Sequence, residues 1–183
     1  MRSENPSGAD NQQETATESM LRLDPSWVVG FVDGEGCFCV SIHRNPMVRR
    51  TGGWQLHPVF QVSQHESNRD VLEELVSFFG CGRVRGKGPR STVLVYAVDR
   101  LRELEDNVLP FFEQYRLRVK SADFETFATL VRAISRKEHL TPAGFELAVR
   151  AAYGMNARGK QRARPIDEVL AGSSETVRQA PFN

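Results

Sequence analysis

Apolar and polar residues alternate with period two over Cys37 to His43, where Phe38, Val40 and Ile42 interleave with Cys39, Ser41 and His43. The same period runs through Trp54 to Gln64, with Trp54, Leu56, Phe60 and Val62 set against Gln55, His57, Gln61 and Ser63. Such alternation predicts strands with one buried and one polar face. Asn45 to Gly53, with Pro46 and Gly52-Gly53, reads as a long hairpin connection. A second strand pair is expected over Arg83 to Lys87 and Thr92 to Val98, around a Gly88-Pro89-Arg90 turn.

Elsewhere the spacing is helical. Asp24-Pro25 is a helix start, with Asp as N-cap and Pro at the first helical position, and this helix stops near Gly34-Glu35-Gly36. Val71, Leu72, Leu75, Val76 and Phe79 predict a helix over Arg69 to Phe79, with Gly80 as its C-cap. Arg100 to Asn107 reads as helix, Pro110 to Glu113 as a short turn, and Ala122 to Arg136 as a long helix. Thr141-Pro142 caps a further helix ending near Tyr153, and Ile166 to Leu170 predicts a last short one. The order α-β-β-α-β-β-α, followed by C-terminal helices, predicts an α+β fold on an antiparallel sheet.

Composition adds boundaries. The chain has 183 residues, 40% of them hydrophobic, enough for one domain with tails. Residues 1–20, rich in Ser, Asn, Gln, Glu and Thr, are expected to be disordered. The domain is expected over 21–155, and a basic linker, the short helix and a tail over 156–183. No apolar run is long enough for a membrane span, and the N-terminal residues do not read as a secretory or transit signal. Cys37, Cys39 and Cys81 have no metal-binding spacing, and their odd number fits a reducing intracellular compartment, the bacterial cytoplasm or an organelle. They read as small core residues.

The net charge of +1 conceals an uneven distribution. No acid occurs from Cys37 to His65 or from Leu75 to Val98, whereas Arg44, Arg49, Arg50, Arg83, Arg85, Lys87 and Arg90 do. The sheet is thus basic and the helices carry the acids, an arrangement that suits either a solvated face or contact with phosphates and base edges.

The most informative stretch is Val28-Val29-Gly30-Phe31-Val32-Asp33-Gly34-Glu35-Gly36. A helix apolar on every side is expected to be covered on every side. Gly30 and Gly34, four apart, share one face and would admit a second backbone closely. Asp33 and Glu35 fall at the helix C-terminus, where the macrodipole and the orphan carbonyls are already negative. A divalent cation held by hard oxygen ligands would relieve that conflict.

These nine residues resemble the motif of the LAGLIDADG homing endonucleases. The likeness extends through Phe60-Gln61-Val62-Ser63-Gln64, Gly80-Cys81-Gly82-Arg83-Val84, Leu109-Pro110-Phe111-Phe112 and Arg118-Val119-Lys120-Ser121-Ala122-Asp123-Phe124, so that it covers about Leu23 to Tyr153. It implies the fold of that family, with a saddle-shaped sheet. Since only one motif and no internal repeat is found, it implies a homodimer whose interface comprises Val29, Gly30, Val32, Asp33 and Gly34. The implied reaction is Mg²⁺-dependent hydrolysis of both strands of double-stranded DNA at a long pseudo-palindromic site, leaving 3′ overhangs.

The resemblance also implies roles. The Glu35 carboxylate and the Gly34 carbonyl would hold Mg²⁺, Gln64 would order water, and Arg118 would stabilise charge on the transition state. Arg118 stands where relatives often carry Lys, and an Arg cannot serve as base. Asp33 reads as a structural residue at the helix end. Base reading would fall to Ser41, His43, Asn45, Gln55, His57, Gln61, Ser63, Arg85, Lys87 and Thr92, with Arg116 and Lys120 on phosphate. A non-cleaving relative of the same fold, an intron maturase or a transcription regulator, is the alternative. A homodimeric interaction domain without nucleic acid is a further one.

Overall fold

A computed structural model describes residues 23–156 and 164–171. The expected disordered segment, most of the basic linker and the tail from Gly172 lie outside the described residues.

The first helix, α1 (Pro25–Glu35), starts as the sequence predicts. The Asp24 carboxylate accepts from the Ser26 and Trp27 amides at 2.8 and 3.1 Å. It passes without a loop into β1 (Gly36–Arg44), and the Gly36 N–H donates back to the Val32 carbonyl. A Cβ on Gly36 would lie 2.6 Å from Val32 Cγ1 and 2.7 Å from Val32 O, so only glycine allows this abrupt exit.

After β1 come β2 (Trp54–His65), α2 (Arg69–Phe79), β3 (Arg83–Gly86) and β4 (Val93–Val98). The strands form one four-stranded sheet in the order β1-β2-β4-β3, antiparallel throughout. This is the expected α+β architecture. Gly80 caps α2 in the left-handed region with φ of 64°, as expected of a C-terminal glycine.

Downstream the sequence reading needs correction. Pro110 does not open a short turn. One helical turn at Leu101–Glu103 is followed by a π turn over Leu104–Val108, and the chain continues into α3 (Leu109–Gln114). Proline has no N–H to donate along a regular helix, and here it falls within the first two residues of α3, just past the widened π turn. Asn107 on that π turn donates to the Phe79 carbonyl at 2.9 Å, fastening it to the end of α2. The long helix α4 (Ser121–Ser135) and α5 (Pro142–Gly154) follow, α5 capped by Thr141 as expected, and residues 166–171 form the short helix α6.

The helices cover one face of the sheet. Phe38, Phe60 and Tyr96 from the strands meet Phe79, Phe112, Phe124 and Phe127 from the helices, all buried. Phe38 stacks on Phe60 with centroids 5.0 Å apart and meets Phe112 edge-on at 5.4 Å. Each such pair adds about 0.5–1.5 kcal/mol beyond its buried area, so this cluster ties the sheet to α2, α3 and α4. Asn156, assigned to the linker by sequence, is instead pinned to the domain. Its N–H donates to the Asp123 carboxylate at 2.9 Å, and its side-chain amide donates to the Phe38 carbonyl on edge strand β1 at 2.8 Å.

Candidate active site

The two long faces of α1 have different environments. Val28 and Val32, one turn apart, are 0% exposed and sit in the core. The opposite face presents Trp27, 44% exposed and stacked on Phe31 at 4.8 Å, together with Gly30 and Gly34. A Cβ built on either glycine would find no neighbour within 4 Å among the described residues. The expected interface set therefore divides. Gly30 and Gly34 lie on the open face and Val29 is half-buried, but Val32 packs into the chain's own core and cannot reach a partner. The reason is helical geometry: residues two apart on a helix point about 200° apart, so Val32 cannot share a face with Gly30 and Gly34.

At the C-terminal end of α1, Asp33 acts as an anchor. Its carboxylate accepts from the Arg118 amide at 2.8 Å and from the Val119 and Lys120 amides at 3.1 Å each. The segment carrying Arg118 and Lys120 is thereby fixed against the helix end, with Leu117 buried beneath it. The structural role read for Asp33 is the observed one. The Lys120 ammonium donates to the Asp33 carbonyl and, at 3.3 Å, to the Gly34 carbonyl. Lys120, expected on phosphate, thus lies on the helix end itself. Glu35, Arg116 and Arg118 are exposed.

The β1–β2 register sets Gly36 opposite Val62, so α1 ends beside the part of β2 that carries Ser63 and Gln64. Gln64 has the parity of core residues Phe60 and Val62 rather than that of the outer face, and its side-chain oxygen accepts from Asn68 at 3.0 Å. Among the described residues, no three His, Cys, Asp or Glu side chains gather to hold a metal ion. What the helix end offers is one exposed carboxylate and two carbonyls that already accept from an ammonium. Hard oxygens with affinity for a cation fit a divalent ion such as Mg²⁺ as an incomplete ligand set, to be finished by groups from outside the chain.

The outer face of the sheet carries most of the expected polar set. Cross-strand neighbours form rows: Cys37, Gln61, Ala97 and Arg83; Ser63, Val95 and Arg85; Ser41 and His57; His43 and Gln55. The His43 and His57 rings are 6.0 Å apart. The Ser41 hydroxyl donates to the His57 carbonyl at 3.3 Å, and the Asn45 amide donates to Gln55 at 2.6 Å. Lys87 continues β3, its N–H on the Val93 carbonyl. Thr92 departs from the expectation. It precedes β4, at an exposed bend, and shares parity with buried Leu94 rather than with the outer face.

Two further differences matter. Cys37 and Cys39 are half-buried residues of the outer face, because they alternate with Phe38 and Val40, which take the core side. A hydrogen bond from Cys39, helped by Lys120 and resisted by burial, lowers the Cys37 thiol to about 7. Asp99, overlooked in the sequence, is an acid at this basic face. Its carboxylate takes both ends of the Arg83 guanidinium, at 2.9 and 2.5 Å, and that pairing holds it below the usual carboxylate range. Its odd position, continuing Val95 and Ala97, was the available signal. Arg85 and Lys87 take part in none of the ion pairs among the described residues.

Comparison with known proteins gives a consistent picture. Residues 28–131 match the sequence model of the family described as LAGLIDADG endonuclease. A 50.9 kDa protein encoded in ND4 intron 1 of Podospora anserina is 32% identical over 71% of this chain, which spans only 28% of it. Homing endonuclease I-ApeII of Aeropyrum pernix is 30% identical over 79% of this chain and 86% of its own length. Among solved structures, the archaeal intron-encoded homing endonuclease I-Vdi141I, complexed with DNA, is similar with a TM-score of 0.76 and 30% identity, covering 84% of this chain and 96% of that one.

Proposed function

The chain belongs to the LAGLIDADG endonuclease family, and from that premise we propose that it is a site-specific DNA endonuclease that cuts both strands as a homodimer. The observation that carries this reading is the end of α1: an exposed Glu35 carboxylate beside helix carbonyls, at the margin of a sheet face lined with Gln, Ser, His, Arg and Lys. I-ApeII and I-Vdi141I support it by name, as homing endonucleases, the second complexed with DNA.

The homodimer is supported by the open face of α1, where a Cβ on Gly30 or Gly34 would meet nothing within 4 Å among the described residues. This one-motif chain covers 96% of I-Vdi141I and 86% of I-ApeII, but 28% of the Podospora protein. A single unit has one catalytic end and one reading face. A two-fold pair, packed through Gly30 and Gly34, supplies one such end for each strand and implies a pseudo-palindromic site.

In this reading Glu35 and the Gly34 carbonyl hold Mg²⁺, which when bound stabilises the attacking and leaving oxygens of a phosphodiester hydrolysis that leaves 3′ overhangs. Arg118 supplies fixed positive charge for the transition state, and its position rests on Asp33. Gln64, oriented by Asn68, orders water near the scissile group. Ser41, His43, Gln55, His57, Gln61, Ser63, Arg85 and Lys87 read base edges, while Arg116 contacts phosphate. The DNA that such an enzyme acts on lies inside the cell, in a reducing cytoplasm or organelle.

The test is cleavage of a plasmid carrying the target, selected from a random library, with Mg²⁺ present. Wild type should cut, and Glu35→Gln should bind the same site with cutting reduced by at least about 100-fold, the cost of losing a main source of transition-state stabilisation. Equal binding with no cutting by either protein would make the chain a non-cleaving member of its family.

A further inference from the structure

We infer that Lys120 is the resident counter-cation of the α1 C-terminus and that it competes directly with a divalent ion for the Gly34 carbonyl. The inference rests on the reading above that Glu35 and Gly34 bind the metal, and it adds a control on that site from within the chain.

The last turn of a helix leaves carbonyls without backbone partners and concentrates negative potential there. In α1 this need is acute. Its last turn holds no basic residue, while Asp33 and Glu35 add two acids to the negative end. The one backbone cap is the Gly36 N–H on the Val32 carbonyl, and the chain turns directly into β1. Four residues beyond Asp33 and Gly34, where regular helical donors would stand, Cys37 and Phe38 are already in strand geometry.

The missing cation arrives from 87 residues further along the chain. The Lys120 amide donates to Asp33 Oδ1 at 3.1 Å, and its ammonium donates to the Asp33 carbonyl and, at 3.3 Å, to the Gly34 carbonyl. Backbone and side chain of one lysine therefore close around the same helix end. A hard cation coordinates a carbonyl oxygen at about 2.0–2.6 Å. An ammonium on that same oxygen would be left only a few ångströms from a doubly charged ion, so the two exclude each other. Arrival of the metal must release the Lys120 ammonium while its amide remains tied to Asp33. The freed cation stays within reach of the helix end, because the Lys120 backbone amide is still held by Asp33.

Ammonium-detected NMR of the full ¹⁵N-labelled chain tests this first without DNA and without turnover. The sequence has only four lysines, Lys87, Lys120, Lys137 and Lys160, and Lys120→Met assigns the resonance. In metal-free protein the Lys120 ammonium should give a hydrogen-bonded signal with slowed proton exchange. Mg²⁺ titration should abolish that protection along the same saturation curve that shifts the Glu35 and Gly36 amides. If those amides shift and the Lys120 signal keeps its protection, the competition is refuted while the metal site stands. If no amide at the helix end responds to Mg²⁺ either in the free protein or with the selected duplex bound, the metal site itself fails and the competition with it. As a second readout, Lys120→Met should bind Mn²⁺ at least about fivefold tighter by electron paramagnetic resonance, and Arg118→Met should change that affinity less than twofold. Equal tightening by both variants would reduce the effect to general charge removal and overturn the inference.

Discussion

Asp33 shows how one side chain can fix a distant segment of its own chain. A carboxylate at a helix C-terminus is in an unfavourable field, and three amides from residues 118–120 offset it. Charge-assisted bonds of this kind are worth about 1.5–3 kcal/mol when deleted singly. Asp33→Ala should therefore lower unfolding free energy by about 2–4 kcal/mol, a range reflecting three amides that share one acceptor group. Amide exchange at Arg118, Val119 and Lys120 should accelerate, while protection in β2 should follow only the global loss. An unchanged exchange rate at those three amides would show that the segment is held by Leu117 packing instead.

At the scale of the element, α1 spends one face on the core and leaves the other uncovered. Val28 and Val32 fill the first. The second joins a stacked Trp27–Phe31 pair to two glycines with empty space above them. Glycine costs about 1 kcal/mol relative to alanine inside a helix, so two of them are expensive unless a second backbone approaches. Gly30→Leu has room to fold, because no neighbour among the described residues lies within 4 Å of its Cβ, and it should convert the proposed dimer to monomer in sedimentation analysis. A dimer of unchanged mass in that variant would move the proposed interface elsewhere.

Across the whole molecule the helices cover one face of the sheet and the other is basic, with its charges unequally available. Arg83 is held end-on by Asp99, whereas Arg85, one row away, has no ion-pair partner among the described residues. The logarithm of protein–DNA affinity falls against the logarithm of salt concentration with a slope of about 0.9 per phosphate contact neutralised. Arg85→Gln should reduce the magnitude of that slope by about one if the residue meets phosphate. If Arg85 reads guanine instead, the slope should hold while affinity for one target base drops by about 1–3 kcal/mol. Arg83→Gln should do neither to the same extent, since Asp99 already occupies its guanidinium. A flat salt response of the wild type would exclude DNA as the ligand of this face.

Local chemistry was enough to place most of the fold. Period-two alternation located β1 and β2, Asp24 and Thr141 announced their helices, and Gly80 marked the end of α2, because strands, caps and left-handed turns are set by a few neighbouring residues. Pro110 misled for the same reason: its local rule says stop, but packing of Phe111 and Phe112 carries the chain through a π turn. The motif helix and its Glu35 were legible as a pattern of glycines and acids. What tertiary structure alone decided was which residues meet across long stretches of chain. No local rule relates Asp33 to the amides of residues 118–120, Lys120 to the Gly34 carbonyl, or Arg83 to Asp99, since each contact exists only after the sheet and helices have closed on a common core.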